Sequence, residues 1–460
     1  MAEATFTFPP DFRWGTATSA HQVEGNNTQN DWWAWEQEGQ RLGDGRVFAN
    51  QVSGLACNWW ENAEADIAQM AKMGLNAHRM SVEWSRIEPT PAFWDEDAID
   101  RYRQILGAMR DAGIEPMVTL HHFTNPQWMA GQGGWANAES VTWFARYVRK
   151  VVDSLSDLVD LWCTVNEPGI LAEMGYYRGI WPPCQKGLGL YFDVYLNLLR
   201  AHAAAYEAIH ELQDGARVGL SKAMRGFKPR RPGSPVDRFV ARTIDDAANG
   251  IFIRALMEGV WRPPGRRAQP LPELQRTLDW LGVSYYHRYE STLKLTHPGG
   301  MFMEYGVPTG VEIGPDTWGE IHPRGLYDLL AQLKRFELPL YVTENGRPDE
   351  VDEHRPRFIV EHLHHVWRAI IVGAPVMGYY FWSLVDNFEW ARAYNPSFRF
   401  GLLEVDVESQ ARRLKTSGEL YAEICKTGTL SSDMARRHAP DALASVFPGE
   451  APVPLARAET

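Results

Sequence analysis

A chain of 460 residues, 45% hydrophobic and 23% charged, has the makings of a large globular fold and can occupy a single α/β barrel with insertions. Its 46 Lys and Arg against 58 Asp and Glu leave a formal charge of −12, the wrong sign for non-specific binding to nucleic acid or to an anionic membrane surface. The opening MAEATFTFPP has no basic region followed by an apolar one. The most apolar stretch, AIIVGAPVMGYYFW, is too short and too interrupted by Gly and Pro to cross a bilayer, so a soluble, unexported protein is expected. Cys57, Cys163, Cys184 and Cys425 are scattered without a C-x-x-C pair, which suits neither a disulfide framework nor a zinc site and fits a reducing cytoplasm.

In chain order, eight short β-type segments alternate with helical patterns: FRWGTA, NAHRMSV, EPMVTLHHF, LWCTVNE, ARVGLS, LDWLGVSYY, LPLYVTE and VMGYYFW. Between the first three, ENAEADIAQMAKMG and DAIDRYRQILGAMRDAG space their apolar residues by three and four, predicting amphipathic helices that end at Gly74 and Gly113. Eightfold strand and helix alternation predicts a single-domain (β/α)8 barrel; a doubly wound sheet is the alternative, because periodicity alone does not close a sheet. No Ser/Gly linker or change of composition divides the chain. The barrel is therefore expected over residues 1–427, with 428–460 a Pro/Ala-rich tail whose composition predicts partial disorder. The His362, His364 and His365 cluster sits in a helical pattern without further ligands and is assigned to a helix face. Nothing in the sequence calls for a metal or cofactor.

A barrel places its chemistry at the C-terminal ends of its strands, so the last residues of each segment are the ones to inspect. The fourth ends in Asn166-Glu167 before Pro168, and the seventh in Glu344-Asn345-Gly346. Either Glu alone reads as a turn residue. Two of them delivered to one mouth are what glycoside hydrolysis requires, an acid for the leaving oxygen and a nucleophile or base for the anomeric carbon. The 19 Trp of the chain belong mostly to a large core, but those beside these motifs offer flat faces for a sugar ring.

TVNEP and YVTENG together resemble the signature pair of glycoside hydrolase family 1, the retaining β-glucosidase and β-galactosidase family. FPPDFRWGTATSAHQVEG, LHHFTNPQW, IHPRGLYDLL, WSLVDNFEWARAY and RRLKTSGELY resemble further family segments, over roughly residues 6 to 425. The resemblance implies a β-glucosidase-type enzyme acting on a small β-glycoside or oligosaccharide, with Glu167 as acid/base and Glu344 as nucleophile. It implies supporting roles for Arg79 and Tyr286 against Glu344 and for Asn166 at the 2-hydroxyl. Gln22, His122, Glu389 and Trp390 would hold the sugar hydroxyls, and Trp382 would form the floor under the ring. A carboxylate beside Arg stays ionised, whereas one facing another negative charge in a partly dry pocket keeps its proton nearer neutrality. Retention implies carboxyl groups roughly 5 to 5.5 Å apart.

Two alternatives are a non-hydrolytic sugar-binding member, which would be expected to lack one Glu, and a 6-phospho-β-glycosidase. Members that take 6-phosphorylated sugars have Ser at the Glu389 position and a Ser and Lys beyond it, and WARAYNPSFRF has no such set. Ser284 stands where the family usually has Asn, and Phe123 where many members have Trp. The sequence leaves the preferred sugar, the leaving group and the oligomeric state open.

Overall fold

The computed structural model describes residues 4–296 and 303–449. Eight strands pair in parallel and in chain order: β1 (Arg13–Ala17), β2 (Ala77–Ser81), β3 (Glu115–His121), β4 (Leu161–Asn166), β5 (Arg217–Ala223), β6 (Trp280–Ser284), β7 (Leu340–Asn345) and β8 (Val376–Trp382). Each of the eight expected segments supplies one of them. Pairing of Gly378 through Trp382 with Arg13 through Ala17 joins β8 back to β1, so the sheet is a closed barrel and the doubly wound alternative is excluded. All six residues of β4 are buried, as are all six of β7, which is why these strands read as near-continuous apolar runs rather than alternating ones.

Helices cover every crossover. Trp59–Met73 lies between β1 and β2 and is capped by Gly74 at φ 81°; Glu96–Asp111 lies between β2 and β3, begins on Asp95 accepting from the Ala98 N–H, and closes at Ala112, with Gly113 following at φ 73°. Both glycines sit in the left-handed region that terminates helices and that other residues adopt at a cost. The inside of the barrel is layered. At its lower end Glu115 accepts from Arg13 at 2.6 Å and from Arg217 at 2.6 Å, tying β1, β3 and β5. Above this triad Met117, Leu161, Cys163, Trp280, Tyr341 and Tyr380 form a buried plug, so the barrel is a packed core open only at its upper end.

Residues 428–449, grouped by sequence with the Pro/Ala-rich tail, pair and pack in this structure. Thr429–Ser431 is antiparallel to Thr5–Thr7, and Leu430, Met434, Leu443 and Phe447 are buried in the main core; residues 450–460 lie outside the described residues. The helix Arg355–Ile371 carries the histidine cluster. His362 is buried, bonded to the Phe358 carbonyl at 2.8 Å and stacked on its ring, while His364 stacks on Phe6 at 4.9 Å. Among the described residues no group of three or more His, Cys, Asp and Glu could hold a metal ion, and no helix is long and apolar enough to cross a membrane.

The plug depends on small residues opposite large ones. A Cβ on Gly219 of β5 would lie 2.4 Å from both the indole and the carbonyl oxygen of Trp280. Overpacking of this kind costs about 1–3 kcal/mol. Gly219→Ala should lower the unfolding free energy by that amount in denaturant titration, and unchanged stability would contradict the packing described.

Candidate active site

The upper end of the barrel is organised by Arg79, which points inward from β2 and has no exposed surface. Its Nε donates to Thr119 Oγ1 on β3 at 3.1 Å, its Nη2 to Asn166 Oδ1 on β4 at 2.6 Å, and its Nη1 to Glu344 Oε1 on β7, an ion pair. One guanidinium thus gathers three further strands. Glu344 is held a second time by the Tyr286 hydroxyl, which donates to Oε2 at 2.7 Å. The loop that carries Tyr286 is pinned in turn. The Tyr285 N–H donates to the Glu344 carbonyl at 2.9 Å, and Asn345, itself accepting from Tyr379 at 2.7 Å, donates to the Tyr285 carbonyl. Because Arg79 occupies Asn166 Oδ1, the Asn166 amide N–H donates to His122 Nε2 at 3.0 Å, which puts the ring proton on Nδ1.

Glu167 is built differently. It follows β4 in the left-handed region at φ 43°, where a non-glycine residue is uncommon, and its N–H is tied to the Ser221 carbonyl on β5 at 2.8 Å. Pro168 opens a short helix whose Ile170 and Leu171 N–H groups return to the Glu167 carbonyl. The sharp turn directs the side chain over the mouth. No cation pairs with it directly among the described residues. Burial, and then the Glu344 charge, push its carboxyl up to about 8, against the opposing pull of Arg225, Lys222 and Arg79.

Both carboxyl groups line one cavity of about 590 Å³, together with His122, Asn166, Tyr286, Trp382, Glu389 and Trp390. Aromatic rings frame one end: His122 is 5.9 Å from Trp382 and 6.0 Å from Trp390, nearly parallel to both. Of the residues singled out by sequence, Arg79 and Gln22 alone do not line this cavity and instead support residues that do. Gln22 is wholly buried, its Oε1 accepting from Ser19 and its Nε2 reaching Asn387 Oδ1, the Phe388 carbonyl and Glu389 Oε2. Glu389 does not pair with the Arg392 side chain, which donates to Asp316 at 3.1 Å. Burial, and then Glu344, raise its carboxyl to about 8, with the hydrogen bond from Gln22 opposing.

The profile of glycosyl hydrolase family 1 matches residues 4–429. The chain belongs to this family. It is 30% identical to β-glucosidase A of Thermotoga maritima over 92% of this chain and 98% of that one, and 30% identical to a β-galactosidase of Sulfolobus acidocaldarius over 93% and 97%. A solved β-glycosidase from Pyrococcus horikoshii superposes with a TM-score of 0.87 at 37% identity, covering 95% of this chain and 98% of that one.

Two positions where this family 1 hydrolase departs from the usual pattern have local partners. Ser284 and Ser221 share a hydroxyl contact at 2.8 Å, and Ser221 meets Thr343 at 2.7 Å, a ladder across β5, β6 and β7 just below the mouth. Phe123, left-handed at φ 73°, packs against Trp181 at 5.3 Å and Trp390 at 5.1 Å. Residues that sequence reading missed include Thr119, the anchor of Arg79, and Glu173, Arg225 and Tyr305 on the outer wall. Arg225 lies two residues beyond β5, so inspection of that strand end would have found it. Tyr305 comes from the strand Met303–Gly306 of a separate three-stranded sheet and carries no local signal.

Glu389 also makes a stability prediction. Its carboxyl moves from an ordinary 4.5 to about 8 in the folded chain, so its protonated form favours folding. That contribution is complete below about pH 4.5 and is lost as pH rises through about 8. Glu389→Gln, which stays uncharged, should melt higher than the parent above pH 8 and at the same temperature near pH 4.5. Equal melting at both pH values in thermal scans would contradict the assignment.

Proposed function

We propose that this family 1 member is a retaining β-glycosidase that releases terminal non-reducing, unphosphorylated β-D-glycosyl residues, β-glucosyl residues foremost, working in a reducing cytoplasm. The observation that carries the reading is the unequal treatment of two carboxyl groups in one cavity. Glu344 is ion-paired to Arg79 and held by Tyr286, while Glu167 has no direct cationic partner among the described residues and keeps its proton up to about pH 8. In the first step a Glu344 oxygen attacks the anomeric carbon, the bond to the aglycone oxygen breaks, and the Glu167 proton passes to that oxygen. In the second, Glu167 takes a proton from water, the water oxygen bonds to the anomeric carbon, and Glu344 is released.

Asn166, oriented by Arg79, would meet the 2-hydroxyl beside the nucleophile; Trp382 would carry the ring face, and His122, Glu389 and Trp390 the outer hydroxyls. Gln22 acts on this edge through its bond to Glu389. Glu389, buried and without an ion-pair partner among the described residues, favours uncharged sugar hydroxyls over a 6-phosphate. The presence of both Glu167 and Glu344 at one cavity supports hydrolysis over simple sugar binding.

Glu344→Gln should retain the fold and abolish turnover of aryl β-glucosides, because the covalent route is gone; near-normal turnover would sink the assignment. Glu167→Ala should lose about 10²–10⁴-fold on glycosides with poor leaving groups and far less in the first step with nitrophenyl glycosides. Azide should rescue it with a β-glycosyl azide as product, whereas an α-azide would count against attack opposite a Glu344-bound sugar. For the parent, kcat/KM should fall as pH rises through about 8, where Glu167 loses its proton. A pH profile flat from neutrality to well above 8 would show that this group is not the acid.

A further inference from the structure

Past Glu167, on the side away from Trp382 and Glu389, the cavity wall carries a charge that hydrolysis of a neutral glycoside leaves unused. Glu173 sits in the turn Ala172–Tyr177 that follows the acid, Arg178 comes directly after it, and Arg225 projects from beyond β5. Arg225 Nη1 donates to Glu173 Oε2 at 2.9 Å and to the Tyr305 hydroxyl at 3.1 Å. Arg178 Nη2 donates to the same hydroxyl at 2.8 Å, and its Nε is 2.9 Å from Glu173 Oε1. Burial works to raise the Glu173 carboxyl, but Arg225 and Arg178 outweigh it and hold it below the ordinary range, so it is ionised. One carboxylate therefore serves two guanidinium groups, and the cluster keeps one positive charge uncompensated. That charge stands in a protein whose formal total is −12.

The surplus charge has a direction. Among the described residues Nε and Nη2 of Arg225 have no hydrogen-bond partner, although 18% of the side chain is exposed and it lines the cavity. These two N–H groups form the side of the guanidinium fork that matches both oxygens of a carboxylate. Met174, Met224 and Ile180 provide apolar wall in the same cavity, suited to a ring or hydrocarbon body. Since the Glu167 proton goes to the leaving oxygen, the wall beyond Glu167 is where the leaving group lies. A partly buried guanidinium without its full complement of acceptors is costly, and an anionic leaving group supplies them.

We propose that this wall is an aglycone subsite for an apolar, aryl-like group bearing a carboxylate, gripped side-on by Arg225. The inference rests on the glycosidase reading above. It is tested by kcat/KM for 4-carboxyphenyl and 4-carbamoylphenyl β-glucosides, which share a shape and differ in charge, assayed below the Glu167 titration. Comparing the ratio between proteins cancels the intrinsic difference between the two leaving groups. Arg225→Gln should lower the carboxylate-to-amide ratio by about tenfold, the loss of one charge-assisted pair. Glu173→Gln, which removes the internal competitor and leaves Arg225 in place, should raise the ratio, and it decides the question if the first variant does not fold. An unchanged ratio in a folded Arg225→Gln or Glu173→Gln variant, with the amide substrate still hydrolysed, overturns the subsite alone. No hydrolysis of either substrate by the parent overturns the subsite and the glycosidase reading together.

Discussion

The upper half of the barrel depends on one buried cation. Arg79 has no exposed surface and is bonded to Thr119, Asn166 and Glu344, so its removal would leave a buried carboxylate without its cation, held by the Tyr286 hydroxyl alone. Breaking a buried ion pair from one side typically costs about 3–5 kcal/mol, yet replacing such a pair with apolar residues is often neutral or stabilising. Stability is therefore a poor reason to keep it. The arrangement is better understood as orientation: the guanidinium fork fixes the rotamer of Glu344 and the amide face of Asn166 together, and through Asn166 it fixes the tautomer of His122.

Around that cation the fold divides its carboxyl groups. Of Glu344, Glu167 and Glu389, Glu344 receives a direct ion pair, whereas the other two face the same cavity with burial and the Glu344 charge both acting to keep them protonated. The difference comes from backbone as much as from charge. Glu344 lies within β7, alongside its partners, while Glu167 is one residue past β4 on a left-handed turn that lifts it out of reach of Arg79 hydrogen bonding. Holding several acidic groups in a low-dielectric cavity works against folding at alkaline pH, and the packed plug beneath, with its Glu115 triad, supplies the rigidity that keeps the mouth open.

The walls above the strand ends are specialised by loops. One end of the cavity is framed by His122, Trp382 and Trp390, with Phe123 and Trp181 packed behind Trp390; the wall past Glu167 is charged, with two arginines sharing Glu173. Members of one family named β-glucosidase and β-galactosidase match this chain equally well in sequence identity, as expected when a common barrel carries differing walls.

Much of this was legible in the residues. Eight apolar segments with helical patterns between them determined a (β/α)8 chain, because strands buried on both faces leave continuous β-branched and aromatic runs, and the rule that chemistry lies at strand ends led to Glu167 and Glu344. The family motifs then led to Arg79, Asn166, Tyr286 and the aromatic end of the cavity. Tertiary structure decided what periodicity cannot carry. It closed β8 onto β1, and it put Gln22 and Arg79 behind the cavity wall as supports. It paired Thr429–Ser431 with Thr5–Thr7 and packed the residues after them into the main core, and brought Tyr305 from a distant sheet to Glu173. The physical reason is the same in each case: local pattern records which face of a segment is buried, but ring closure, second-layer bonding and pairings across more than a hundred residues are settled only when the elements pack.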